Sequence, residues 1–141
     1  MRYRWLAALM VALSAAACSP AEAPPSPPAN VEALPGAGAY DQRLDDVTQE
    51  LRDALEARYG HLEVTAYKLP PPTAWPSLST YYQSALSAWS AEPALPESIR
   101  AAKARAWAHR GTVFAVALID KPIPGHEVDY KLLVTVTNRS P

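Results

Sequence analysis

Residues 40–141 predict an α+β domain, with two or three amphipathic helices packed on one face of a small antiparallel or mixed sheet of three to four strands. Three observations predict it. Two segments repeat apolar residues at helical spacing. Three others are apolar or alternating runs of strand length. The order of elements, helix, strand, helix, helix or strand, strand, strand, suits helices laid over a sheet rather than alternating β-α units.

The first helix rests on Tyr40, Leu44, Val47, Leu51, Leu55 and Tyr59, which recur three or four residues apart. Asp41, Asp45 and Asp46 favour its amino end and Arg58 its carboxyl end. Gly60 is placed to adopt the left-handed conformation that stops it. The remaining charges, Glu50, Arg52, Asp53 and Glu56 among them, form a solvated face. His61 to Leu69 alternates and contains β-branched and aromatic residues, as a strand does, and Pro70-Pro71-Pro72 ends it. A second helix follows, with Ser77 as its N-cap and Leu78, Tyr81, Tyr82, Ala85, Leu86 and Trp89 on its apolar side, stopping before Pro93. Residues 96–111 fit two patterns. Pro96-Glu97, the alanines and Gly111 favour a third helix. Yet Ala102, Ala104, Ala106 and Ala108 alternate with Lys103, Arg105, Trp107 and His109, which makes a strand with Arg110-Gly111 as its turn. Helix is the preferred expectation. Thr112 to Asp120 is apolar on both faces and so reads as a central strand. A Pro- and Gly-containing loop, 121–128, then leads to a last strand from Asp129 to Asn138, antiparallel to its predecessor.

Upstream of the domain the composition changes. Six prolines fall between Pro20 and Pro35. Proline fixes φ and lacks an N–H, so residues 18–39 should form an extended, mobile tether with a reach of up to about 60 Å. Residues 1–17 form a targeting segment: a basic start at Arg2 and Arg4, then thirteen uncharged residues from Trp5 to Ala17. Thirteen residues of helix span about 20 Å, short of a bilayer core of about 30 Å. Export fits better than a membrane span. Ala16, Ala17 and Cys18 resemble the lipobox of bacterial lipoproteins, although Ala15 stands where Leu is usual. The resemblance covers the first 19 residues. It implies that Cys18, the only cysteine, is lipidated and becomes the mature amino terminus. Ala15-Ala16-Ala17 also suits an ordinary signal peptidase, which would leave a free thiol. Such a thiol is a liability in an oxidising compartment, which favours lipidation. By the same resemblance, Ser19 points to the outer membrane, facing the periplasm.

The charge count, 13 Lys and Arg against 14 Asp and Glu, gives no basic excess for nucleic acid. Loss of Arg2 and Arg4 with the leader leaves 11 basic and 14 acidic residues, a net charge of −3. A lone cysteine excludes an intramolecular disulfide and a cysteine-rich zinc site. His126-Glu127-Val128-Asp129 is the one local cluster of ligand types, too few for a tight site, and no metal or other cofactor is expected. The serines of the second helix are explained as its cap and polar side, and Asp120 and Asp129 as turn residues, so no catalytic residue is expected. Aromatic residues remain. Their default place is the helix–sheet core, but Trp75, Tyr82 and Trp89 are candidates for a binding rim. The expected function is therefore a non-enzymatic, lipid-anchored periplasmic binding protein. Its bilayer contact is the acyl group and its partner another envelope protein, as in an accessory subunit of an envelope or secretion assembly. An immunity or inhibitor lipoprotein acting on a toxin or lysozyme, and a small hydrolase, are the competing classes.

Overall fold

The computed structural model describes residues 23–34, 42–100, 102–120 and 130–139. In chain order the elements are β1 (Glu32–Ala33), α1 (Gln42–Tyr59), β2 (Glu63–Leu69), α2 (Trp75–Ala85), β3 (Ser90–Ala91), β4 (Ser98–Ile99), β5 (Ala102–His109), β6 (Thr112–Ile119) and β7 (Lys131–Thr137). One seven-stranded sheet runs β1-β2-β7-β6-β5-β3, with β4 also paired to β5. Every pairing is antiparallel.

This corrects the expected fold class. About 36% of the described residues are strand and 29% helix, so the domain is mostly sheet with two helices, not two or three helices on three to four strands. The reason lies in β6. Val113, Ala115, Ala117 and Ile119 face one way and pack with Val47, Leu51 and Leu55 of α1. Phe114, Val116 and Leu118 face the other way and pack with Leu78 and Tyr82 of α2. A strand apolar on both faces needs a cover on each, so the helices lie on opposite sides of the sheet rather than on one. The extra strands are the two-residue pieces β1, β3 and β4, which are too short to show any period.

The third helix is also corrected. Residues 102–109 are a strand, and the two-residue turn Arg110-Gly111 joins it to β6 through the pair His109↔Thr112. Both turn residues have positive φ, 49° and 79°, as the tight hairpin turn with the right twist requires. Ala102, Ala104 and Ala106 face α1, and the cross-strand pairs Ala104↔Ala117 and Ala106↔Ala115 make a shallow floor beneath that helix. Small side chains let a helix lie close to the sheet.

Helix α1 matches its apolar stripe: Val47, Leu51 and Leu55 are buried, and Gly60 closes it at φ 77° with its amide donating to the Glu56 carbonyl at 2.9 Å. Tyr40 lies outside the described residues. Helix α2 differs at both ends. It begins at Trp75, with extended Ala74 as its N-cap and Pro76 in the first turn, so Ser77 is not the cap. Proline's fixed φ suits a first turn, where no intrahelical donor is needed. The helix ends at Ala85, where the Leu86 amide donates to Tyr82 O at 2.9 Å. Leu86 and Trp89 still bury from the turn that follows.

Residues 23–34, within the stretch expected to be tether, lie on the domain. Glu32 and Ala33 pair with Lys68 and Tyr67 of β2, and the Leu34 amide donates to Ala66 O at 3.0 Å. The Tyr81 hydroxyl donates to Ser26 O at 3.0 Å and reaches Pro27 O at 3.4 Å.

A candidate binding cleft beside α2

On the α2 side of the sheet, the residues of β5 read Lys103, Arg105, Trp107 and His109, alternating with the alanines that face α1. The carboxyl end of α2 stops short of the β3–β5 edge, and a cleft of about 300 Å³ opens there. Gln83, Leu86 and Ser87 form its helix-side wall, and Trp89 and Ala91 lead into β3. Arg105 and Trp107 form its floor.

Among the described residues, Arg105 is the only charged one in that lining. Its Nη1 donates to Ser79 Oγ and to Gln83 Oε1, each at 3.1 Å, so α2 holds the guanidinium in place. The guanidinium carbon stands 6.0 Å from the centre of the Trp107 ring. Trp107 and Trp89 are 3% and 9% exposed. The indole of Trp89 stacks on the His109 imidazole at 5.8 Å with 26° between planes. The cleft therefore offers one oriented cation, an amide, a hydroxyl and aromatic edges.

The expected rim residues do not converge. Trp75 opens α2 and Trp89 follows its end, and eleven helical residues span about 15 Å. The Trp75 indole N–H donates to Glu97 Oε1 at 3.3 Å. Tyr82 is 0% exposed and packs on Phe114 at 5.5 Å, so it belongs to the core and not to a rim. The exposed member of that pair is Tyr81, at 40%. Only Trp89 reaches the cleft. Arg105 and Trp107 were missed, because a helix over 96–111 would have scattered the alternating row that the strand gathers on one face; Gln83 and Ser87 are single polar residues with no motif to mark them.

The other chemically capable groups lie elsewhere. Glu92 follows β3 on the α1 side, where it accepts hydrogen bonds from the Tyr59 hydroxyl and, at 3.1 Å, from the Ala94 amide, and it sits 3.6 Å from Arg58 Nη1. The Tyr59 bond, helped by the Ala94 amide and Arg58, holds its carboxyl below the usual range against the opposing effect of burial. Burial and the bond to Glu92 push the Tyr59 hydroxyl up. His61 is exposed beyond α1. Cys18, His126 and Asp129 lie outside the described residues, as does the leader. Among the described residues no group of three or more His, Cys, Asp or Glu is placed to hold a metal. Comparison of the chain with protein-family models, curated proteins and solved structures finds no match.

Proposed function

We propose that the chain is a lipid-anchored binding protein of the bacterial envelope, acting without catalysis as an accessory subunit of an envelope or secretion assembly and facing the periplasm from the outer membrane. The observation that carries the binding half is the cleft beside α2, where Arg105 is fixed over Trp107 at the edge of a rigid sheet. Tryptophan and arginine are the residue types that concentrate binding energy in protein interfaces. Arg105 is bonded to Ser79 and Gln83 and stands over Trp107, which suits a preformed receptor surface better than a nucleophile with its base. The anchoring half is supported by the leader and by Cys18 as the only cysteine.

The test is cross-linking in intact cells followed by purification of the full chain from detergent-solubilised envelopes. Components of one envelope assembly should co-purify, and their recovery should fall when Trp89→Ala and Arg105→Ala are combined. Recovery of a single periplasm-acting enzyme that the chain inhibits would replace the accessory-subunit reading with an immunity or inhibitor role.

A further inference from the structure

Among the described residues, no carboxylate is paired with Arg105. Both bonds from Nη1 go to neutral acceptors, Ser79 and Gln83. Among the described residues, Nη2 and Nε have no hydrogen-bond partner, and no carboxylate lies within ion-pair distance. Glu97, whose carbonyl accepts from the Ala104 amide beside it, gives its carboxylate to the Trp75 indole instead. Lys103, the next cation on this face of β5, donates to Ser98 Oγ at 2.7 Å, again a neutral oxygen. Alternate residues of a strand stand about 7 Å apart. Lys103 and Arg105 thus form a short basic row on a chain whose net charge is −1.

A guanidinium pinned by one amino group presents its remaining edge as a planar two-donor fork, which matches a carboxylate. The aromatic surroundings narrow the choice of ligand. Stacking on a sugar needs an open ring face. Here one face of Trp89 is taken by His109 and the ring of Trp107 lies under Arg105 itself. What remains beside Arg105 is Leu86 and the indole edges, apolar surface that a short methylene chain ending in an acid can cover. We propose that the cleft binds an acidic segment of a partner protein, with one Glu or Asp carboxylate docked on the free edge of Arg105. This rests on the binding reading above and names the chemistry of its partner.

The experiment is a titration of the full-length chain in detergent micelles, followed by NMR of the Arg105 Nε–H and the indole N–H groups of Trp89 and Trp107. The probe is a blocked peptide, acetyl-Asp-Glu-Leu-Glu-Asp-amide. Its controls are the neutral peptide acetyl-Asn-Gln-Leu-Gln-Asn-amide and free glucuronate. The acidic peptide should shift all three signals, and the neutral peptide should bind at least tenfold more weakly. Arg105→Gln should lower acidic-peptide affinity at least tenfold, with the thermal transition checked for folding. Arg105→Lys, which keeps the charge and loses the fork, should recover only part of it. Equal binding of the two peptides would overturn the proposal without recourse to any variant. So would shifts from glucuronate in the absence of shifts from the acidic peptide. Should the peptide fail while an envelope partner still co-purifies equally with wild type and Arg105→Gln, this inference falls and the binding reading stands. A peptide that binds as expected when no envelope protein co-purifies separates them the other way.

Discussion

Tyr82 places a phenol inside the core between α2 and the sheet, where its ring packs against Tyr81 and Phe114. Its hydroxyl has no hydrogen-bond partner among the described residues. A buried polar group without a partner carries its desolvation cost uncompensated, about 1–3 kcal/mol. Tyr82→Phe should therefore hold or raise stability, by up to about 1 kcal/mol, as read from urea denaturation midpoints. A loss of that size instead would mean that the hydroxyl has a partner after all. Glu92 is the opposite case, a buried carboxylate with its partners in place. Its folded pKa lies below the usual 4.5, so its stabilisation is complete above that value and is lost as pH falls through the lowered one. Tyr59 is raised above 10.0, so its contribution is present below that pH and lost as pH climbs past it. Unfolding midpoints measured from neutral into acid should fall less steeply for Glu92→Gln than for wild type. A parallel acid limb would show that Glu92 is not held by Tyr59 as described. Asn138 is a third polar anchor. Its Oδ1 accepts from the Val113 amide at 2.9 Å and its Nδ2 donates to Gly111 O at 2.9 Å and Tyr59 O at 3.3 Å. It binds the β5–β6 hairpin to the end of α1.

The hairpin between β5 and β6 shows what an element costs when its turn carries the wrong residue. Arg110 sits at φ 49°, where a side chain with a Cβ is strained, and Gly111 at φ 79°, where glycine is at ease. Asparagine tolerates the first position better than arginine. Arg110→Asn should stabilise by a few tenths of a kcal/mol to about 1 kcal/mol, and Gly111→Ala should destabilise by about 1 kcal/mol or more. Calorimetric melting temperatures moving in opposite directions would check both, and a neutral Gly111→Ala would refute the turn geometry. The same hairpin marks where the sequence stopped being legible. Helix α1 and strand β2 each carry one clean period, β6 reads as a strand from its short continuous apolar run, and the stripe Val47, Leu51, Leu55 alone determined a helix and its buried side. Residues 102–109 carry two conflicting signals. Alanine favours a helix by propensity, yet the alternation with Lys103, Arg105 and Trp107 belongs to a strand. The alternation prevailed because tertiary packing needed small residues under α1, and packing outweighs propensity. The candidate site was hidden by the same ambiguity, since Arg105 and Trp107 share one face only in the strand. Trp75, Tyr82 and Trp89 could be recognised as aromatic but not sorted into core and cleft, because Tyr81 and Tyr82 differ by one position and end on opposite sides of exposure. Leu51→Asp should abolish the folded state through a buried unpaired charge, a penalty of several kcal/mol, seen as loss of the cooperative transition.

At the scale of the whole molecule, the two halves of the proline-rich stretch have different consequences. If Cys18 carries the lipid, eight residue steps separate it from Ser26, the first residue bonded to the domain, at most about 29 Å of chain. The fully free tether expected from composition would reach about 60 Å. Docking of residues 23–34 thus decides whether the cleft works near the membrane or far from it. The docking rests on few bonds: two β1 pairs, the Leu34 amide, the Tyr81 hydroxyl, and the apolar contacts of Val31 and Leu34 with the two cores. Leu34→Pro removes the amide donor and a packed side chain, and Tyr81→Phe removes the hydroxyl that holds Ser26 and Pro27. Together they should free the segment while leaving β2 through β7 paired. Energy transfer from a dye at the exposed hairpin-turn position Arg110 to a labelled lipid should be efficient in the wild type and should fall in the double variant, with melting of the domain lowered by no more than a few degrees. Cys18→Ser should abolish the transfer in both by releasing the chain from the membrane fraction. Equal transfer in wild type and double variant would show that the segment does not set the height of the domain, and retention of Cys18→Ser on membranes would remove the anchor on which that height depends.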